Sequence, residues 1–296
     1  MKAVSTGLAR RGHNVTVATS RHPTRRQFST RVTVREFGVT GSPLTGYRGE
    51  VDAYRDFLRK SNFDVSLNYA AQCWPTDLAF RELEKMRGRK ILAPCGYSGL
   101  AFGPPIGWLF VPYFLKLPRV LRKYDHLIYH SPVTIDKLFG DRHGIKSFSI
   151  IPNGVDTSLF QGEGDELPGG SDVRPDQPLL LHVGNHQRVK GHRGIFAALK
   201  ALDALGCKEW EFVLIGEPSP SKLTNCLSDC IHAAASFGGR VHLSSRVSRE
   251  RVVSAFKGAD IFILSSKIEC FPLVVLEAMS AQSPIPNRGM AESRSR

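Results

Sequence analysis

The sequence lacks an apolar run long enough to cross a membrane, and it opens with no signal peptide, so it reads as a soluble, cytoplasmic protein. It also lacks zinc-finger spacing and any recognisable nucleic-acid module. Acidic residues are scarce beside basic ones, 27 against 40, for a net charge of +13. That balance favours anionic partners, namely nucleotides or anionic lipid surfaces; without a module, nucleic acid is not expected. A basic surface equally suits an enzyme peripheral to the inner face of the cell membrane. Cysteine is sparse: Cys73, Cys95, Cys207, Cys226, Cys230 and Cys270 are scattered through apparent core and helix segments. Cys226 and Cys230 lie one helical turn apart with no second pair, so all six read as free thiols of a reducing cytosol, with no metal site. What the chain does have is length and apolar content, 296 residues and 42% hydrophobic, enough for two domains with cores.

The most informative stretch is 260–281, DIFILSSKIECFPLVVLEAMSA. Ile261–Leu264 suits a strand buried on both faces, Ser265 to Phe271 a polar turn, and Pro272 the first residue of a helix through Leu273, Val274, Leu276 and Met279. Glu269 falls in the turn and Glu277 eight positions later in the helix. In an open parallel sheet, ligands lie beyond the carboxyl ends of the strands. There a helix N-terminus suits phosphate, and a carboxylate accepts from sugar or ribose hydroxyls. Spacing alone leaves two readings open: a nucleotide-sugar site, or a loop charge and a solvated helix position.

SSKIECFPLVVLEAMSA resembles the E-x7-E signature of retaining family 4 glycosyltransferases, including the Phe-Pro-Leu and Glu-Ala-Met around the acids. The resemblance implies the two-domain GT-B fold, transfer of a sugar from a nucleoside-diphosphate sugar to an acceptor hydroxyl with retention, and neither cofactor nor metal. It implies that Glu269 and the backbone of Cys270, Phe271, Pro272 and Leu273 hold the donor sugar, and that Glu277 holds the ribose. The turn GNHQRVKG (184–191) fits the family's phosphate turn rather than a Walker loop, with Gly184 and Lys190 in place. Lys190 would neutralise the leaving diphosphate, which makes Lys190 and Glu269 the expected catalytic pair. Where the family has an arginine this chain has Asn185, which can donate a hydrogen bond but carries no charge; Arg188 is the residue that could compensate. Arg246 and Val247 are implied as nucleobase contacts. In PCGYSGL (94–100) the family commonly has a histidine where Cys95 stands, next to Gly96, so the acceptor-side role of that position is in doubt; Cys95 alone reads as a buried thiol in a tight turn.

Along the chain, an amphipathic helix over 1–13 with Val4 and Leu8 inward leads into a strand at 14–19. Further strands are expected at 31–39, 63–69, 89–95 and 126–130, and helices at 49–60, 75–87 and 132–140. Gly41–Gly49 reads as a loop suited to acceptor contacts. Residues 104–123 carry aromatics beside a basic tail. They read either as an interfacial segment burying Trp108, Phe110 and Tyr113 with Lys116, Arg119, Arg122 and Lys123 towards headgroups, or as a core helix broken by Pro112 and Pro118. His126 and His130 read as packed or surface residues. A second run of strands is expected at 178–184, at 211–218 (strand and turn) and at 240–245, with helices from 194, at 221–236 and at 248–258.

The expected fold class is α/β, two Rossmann-like doubly wound domains in GT-B arrangement, both incomplete. Residues 1–155 form an acceptor-side domain without the family's first strand, which would be central in its sheet; 156–177 a linker; and 178–296 a nucleotide-sugar domain without the last strands, leaving an exposed edge strand. The expected role is polysaccharide or glycolipid biosynthesis on a carbohydrate or lipid-linked acceptor. The alternatives are an inactive truncated fragment, a nucleotide-binding remnant, or a GT-B nucleotide-sugar epimerase.

Overall fold

The chain folds into two units, Met1–Pro152 and Asn153–Arg296, in a computed structural model that describes residues 2–22, 31–101, 104, 106–162, 173–219 and 224–283. In the first unit, α1 (Lys2–Arg10) is followed by the parallel pair β1 (Val15–Ser20) and β2 (Val32–Phe37). α1 turns its small residues Ser5 and Ala9 inward, not the expected Val4 and Leu8, which are 45% and 38% exposed. Next come β3 (Val39–Ser42), β4 (Gly46–Gly49), α2 (Val51–Lys60), β5 (Val65–Tyr69), α3 (Trp74–Ala79) and β6 (Arg89–Ala93). They are followed by α4 (Ser98–Ala101), α5 (Ile106–Leu109), α6 (Val111–Leu121), β7 (His126–Tyr129), α7 (Ile135–Arg142) and β8 (Phe148–Ile150).

β5, β6, β7 and β8 form a parallel sheet in chain order, and among the described residues no strand joins it to β1 and β2. This split is what a doubly wound sheet without its central strand would show. Trp74 anchors one part to the other: its indole N–H donates to Ser20 Oγ at 2.8 Å, and its ring meets Tyr54 edge-on at 4.9 Å.

Two further expectations in this unit are corrected. Gly41–Gly49 is not an open loop; β3 and β4 form an antiparallel hairpin. Gly41 has φ of 110°, and a Cβ there would lie 2.0 Å from the Gly46 carbonyl oxygen, so only glycine permits the pairing. The hydroxyls of Tyr47 and Tyr113 both donate to the Asp77 carboxylate, at 2.6 and 2.9 Å, which pins the hairpin and α6 to α3. The helix expected over 75–87 ends at Ala79, and the chain continues in turns that bury Glu82 beside Arg55 and Arg59 of α2.

The second unit begins before the expected boundary. Thr157–Phe160 forms a 3-10 turn capped by Asp156, and Phe160 packs edge-on against Phe256 at 6.1 Å. Phe160 and Val173 are buried in this unit's core. The apolar ends of the anticipated 156–177 linker are therefore part of the domain; its middle, 163–172, lies outside the described residues.

Four parallel strands follow: β9 (Leu179–Val183), β10 (Glu211–Ile215), β11 (Val241–Ser244) and the two-residue β12 (Ile261–Phe262), in spatial order β11-β10-β9-β12. The helices are α8 (His192–Ala204), α9 (Leu227–Ala235), α10 (Arg249–Gly258), capped by Ser248, and α11 (Leu273–Ser280). Alternation along the strands makes the layers. Leu179, Leu181, Val213, Ile215 and Phe262 face α10 and α11, whereas Leu180, Phe212 and Leu214 face α8 and α9. Phe212, Phe256 and Phe262 are fully buried, each worth about 1.5–3 kcal/mol relative to exposure. Among the described residues β12 is an edge strand, as anticipated from sequence, and at two residues it offers little template for aggregation.

Candidate functional site

Chain order in the second sheet runs from β9 outward through β10 to β11, then jumps back to β12 on the other side of β9. The reversal lies between β9 and β12, which pair through Ile261 with Leu180 and Phe262 with Leu181. The turns leaving the carboxyl ends of two strands at such a point diverge and open a crevice. Here those turns are 184–191 and 263–272, the two that sequence analysis singled out.

They meet closely. Lys190 Nζ donates to Glu269 Oε1 at 2.7 Å, with both side chains mostly shielded. Ser265 Oγ donates to the Lys190 carbonyl at 2.8 Å, and the Lys267 N–H to the Val189 carbonyl at 2.8 Å. Gly191 has φ of 75°, and a Cβ on it would stand 2.0 Å from the Ser265 carbonyl oxygen; the approach depends on glycine. On the other side the Gly184 N–H donates to the Ile215 carbonyl at 2.9 Å. A Cβ on Gly216 would stand 2.1 Å from the Gly184 carbonyl oxygen.

α11 starts one residue later than expected, with Pro272 at its N-cap and no side-chain cap, so its first N–H groups are available to an anion. Cys270 and Phe271 are half-buried in the turn before it, and Leu273 is half-exposed. Glu277, on the second turn of α11, is buried, and its Oε1 accepts from Arg249 at 2.6 Å. Among the remaining expected donor contacts, Asn185 Oδ1 accepts from the Glu217 N–H at 3.3 Å. Arg246 adopts a left-handed φ of 55° and its N–H donates to the Glu217 carboxylate, while Val247 packs against the core. Arg188 makes an exposed ion pair with Asp229 of α9 at 3.2 Å.

Three residues at this site escaped sequence reasoning. Asn153 donates from Nδ2 to the Phe271 carbonyl at 2.9 Å and braces the Glu269 turn. Arg249 is the partner of Glu277. His182, on β9, is fully buried with Nδ1 against the Ile263 carbonyl at 2.8 Å. Its Nε2 is unpartnered, 2.9 Å from where a Cβ of Gly184 would be. Burial lowers its pKa to about 4, so the imidazole is neutral. No spacing rule marks a histidine on an apolar strand as a floor beneath a turn.

The other expected residues lie in the first unit. Cys95 sits in the turn after β6 with a left-handed φ of 56°. Its Sγ lies 3.3 Å from Nε2 of His130, whose Nδ1 faces the Ile151 carbonyl at 2.9 Å. The Gly96 N–H donates to Asp136 at 3.0 Å. Burial pushes the Cys95 thiol up, so it is neutral. Phe110 is buried in the core and Tyr113 is hydrogen-bonded to Asp77, as the core-helix reading expects and the interfacial one does not; Trp108, Leu109, Val111 and Leu115 are exposed.

The parallel sheet with its helices is Rossmann-like, and the chain shares the α/β fold of GT-B glycosyltransferases. It superposes on sucrose-phosphate synthase from Thermosynechococcus elongatus with a TM-score of 0.76 at 18% identity, covering 96% of this chain and 73% of that one. For WaaG, a glycosyltransferase involved in lipopolysaccharide biosynthesis, the TM-score is 0.68 at 17% identity, covering 96% and 75%. Residues 1–159 match the family described as Glycosyltransferase Family 4 and residues 165–285 the one described as Glycosyl transferases group 1; the chain belongs to this glycosyltransferase family. Among its relatives, alpha-galactosylglucosyldiacylglycerol synthase of Streptococcus pneumoniae is 26% identical over 70% of this chain and 56% of that protein. D-inositol 3-phosphate glycosyltransferase of Paenarthrobacter aurescens is 29% identical over 56% and 41%. The chain thus spans about half or less of the length of these curated relatives.

Proposed function

We propose that the protein is a retaining glycosyltransferase that moves a sugar from a nucleoside-diphosphate sugar to an acceptor hydroxyl in polysaccharide or glycolipid biosynthesis. The observation that carries this is the Lys190–Glu269 pair at the β9/β12 switch point, beside the uncapped N-terminus of α11. In the free protein the two side chains neutralise each other. A donor would separate their roles: the diphosphate takes the Lys190 ammonium and the α11 N–H groups, and Glu269 turns to the sugar hydroxyls. Glu277, fixed by Arg249, accepts from the ribose diol. As the glycosidic bond breaks, negative charge grows on the leaving phosphate, and Lys190 is placed to stabilise it without a metal. Nucleobase contact falls to Arg246 and Val247 at the end of β11, and acceptor contacts to the Cys95–Gly96 turn of the first unit.

A lipid-linked acceptor and peripheral membrane attachment are supported by α5 and α6. Trp108, Leu109, Val111 and Leu115 are 46–71% exposed, next to exposed Lys116 and Arg119. None of the described helices is long and apolar enough to cross a membrane.

The test is to incubate the protein with UDP- and GDP-sugars and a membrane extract as acceptor, and to read the anomeric configuration of the product by NMR. The reading predicts acceptor-dependent transfer with the donor's configuration kept. An inverted product contradicts retention, and an isomerised sugar formed without acceptor points to an epimerase instead.

A further inference from the structure

Cys226 and Cys230 have partners that lie far away in sequence. Cys226 is the N-cap of α9 and Cys230 lies one turn along, so both thiols project from one face. His186, in the turn after β9, and His192, the first residue of α8, reach the same point. The four ligand atoms lie within 4.8 Å of one another, with His192 Nδ1 3.2 Å from Cys226 Sγ. All four side chains are buried, at 1, 2, 6 and 2% exposure for His186, His192, Cys226 and Cys230. One ring nitrogen of the group, His186 Nδ1, is buried without a hydrogen-bond partner. A buried ring nitrogen without a partner is uncommon, and an ion is one of the things that accounts for it.

We propose that His186, His192, Cys226 and Cys230 form a structural zinc site. Two thiolates and two neutral imidazoles are the donor set of a closed tetrahedral Zn(II) centre, and the complex carries no net charge, which suits full burial. Zn–S and Zn–N bonds of the usual length set ligand atoms roughly 3.3–3.8 Å apart, so a contraction of at most about 1.5 Å from the 4.8 Å span closes the site. The spacings, five residues between the histidines and three between the cysteines, fall in the range that structural zinc sites use. The histidines come first and lie 33 residues ahead of the cysteines, and that order hides the motif.

The site has a clear mechanical consequence. The turn 184–191 is already laced to the start of α9: the Cys226 N–H donates to the His186 carbonyl at 3.2 Å, the Arg188 N–H to the Thr224 carbonyl at 2.9 Å, and Arg188 pairs with Asp229. A metal held by His186, His192, Cys226 and Cys230 would clamp this turn, and Lys190 within it, to α8 and α9. The inference concerns structure and stands whether or not the glycosyltransferase reading holds.

The experiment is elemental analysis of untagged protein purified without chelator under reducing conditions, followed by Co(II) loading of the stripped protein. We expect about one zinc per chain. Co(II) should give thiolate charge-transfer absorption and the d–d bands of a tetrahedral site. Stripping should lower the melting temperature by on the order of 10 °C and raise amide exchange at 184–191. C230S and H192A should each lose the stoichiometric zinc; should either fail to fold, the wild-type zinc content and Co(II) spectrum still decide. Wild-type protein that holds less than about a tenth of an equivalent of zinc and shows no thiolate–Co(II) band overturns the proposal, as do variants that fold and keep a full equivalent.

Discussion

The two strand-end turns that carry the expected site residues differ in kind. In the second unit, the turns after β9 and β12 bring a full cation and a full anion to 2.7 Å, Lys190 on Glu269. In the first unit, the turn after β6 and the end of β7 bring the Cys95 thiol, kept neutral by burial, to 3.3 Å from the His130 imidazole. Topology explains the difference in placement. The second sheet reverses its strand order inside a continuous ladder, so facing turns project over a crevice; in the first unit β1–β2 and β5–β8 share no described strand. Charge that changes during a reaction belongs where preorganised dipoles and ions converge. A neutral thiol can position a hydroxyl but brings no charge to a diphosphate. The contrast supports the proposed reading, in which the second unit takes the donor and the first unit has a positioning role.

Substitutions can break this contrast. The largest effect is expected from Lys190→Ala and Glu277→Ala, each cutting turnover by ~10²–10³-fold in a steady-state assay while circular dichroism stays native. Near-normal rates in either would sink the site assignment. Next comes Gly191→Ala, which forces a side chain into the Ser265 carbonyl at a left-handed φ. It should cost about 1–3 kcal/mol and lower the melting temperature by about 3–10 °C, with weaker nucleotide binding, because the two turns can no longer dock. On the neutral side, Cys95→Ser should leave stability within about 1 kcal/mol and preserve most activity, since a hydroxyl can still donate to His130. A tenfold loss there would mean that the thiol itself matters. Smallest is a kinetic contrast in alkylation: with its thiol pushed up by burial, Cys95 should react with iodoacetamide more slowly at pH 7.5 than the exposed Cys207. Equal rates, read by mass spectrometry, would contradict the neutral assignment.

Much of this site could be read from residues alone, because its parts are local. The strand–turn–helix at 260–281 and the turn at 184–191 are short contiguous patterns, and strand alternation sorts their core faces. What stayed hidden depends on neighbours distant in sequence. Arg249 under Glu277, Asn153 against Phe271 and the buried His182 are set by packing between elements, which periodicity does not encode. The glycines at 41, 46 and 49 have the composition of a loop yet build a hairpin, because the positive φ that loops use also lets two strands close. Phe110 and Tyr113 belong to an aromatic stretch whose two faces differ, and only the position of α3 and Asp77 decides which face turns inward. Cys226 and Cys230 looked partnerless for the same reason: their neighbours His186 and His192 enter from another strand and helix.

The central claim is that a nucleotide is held at the β9/β12 switch point by the second unit. Isothermal titration of the protein with UDP and with GDP, using Glu277→Ala as control, tests it most directly. The account predicts saturable binding of one of the two nucleotides and its loss in the control. No heat from a folded protein with either nucleotide, or equal binding by Glu277→Ala, would contradict it.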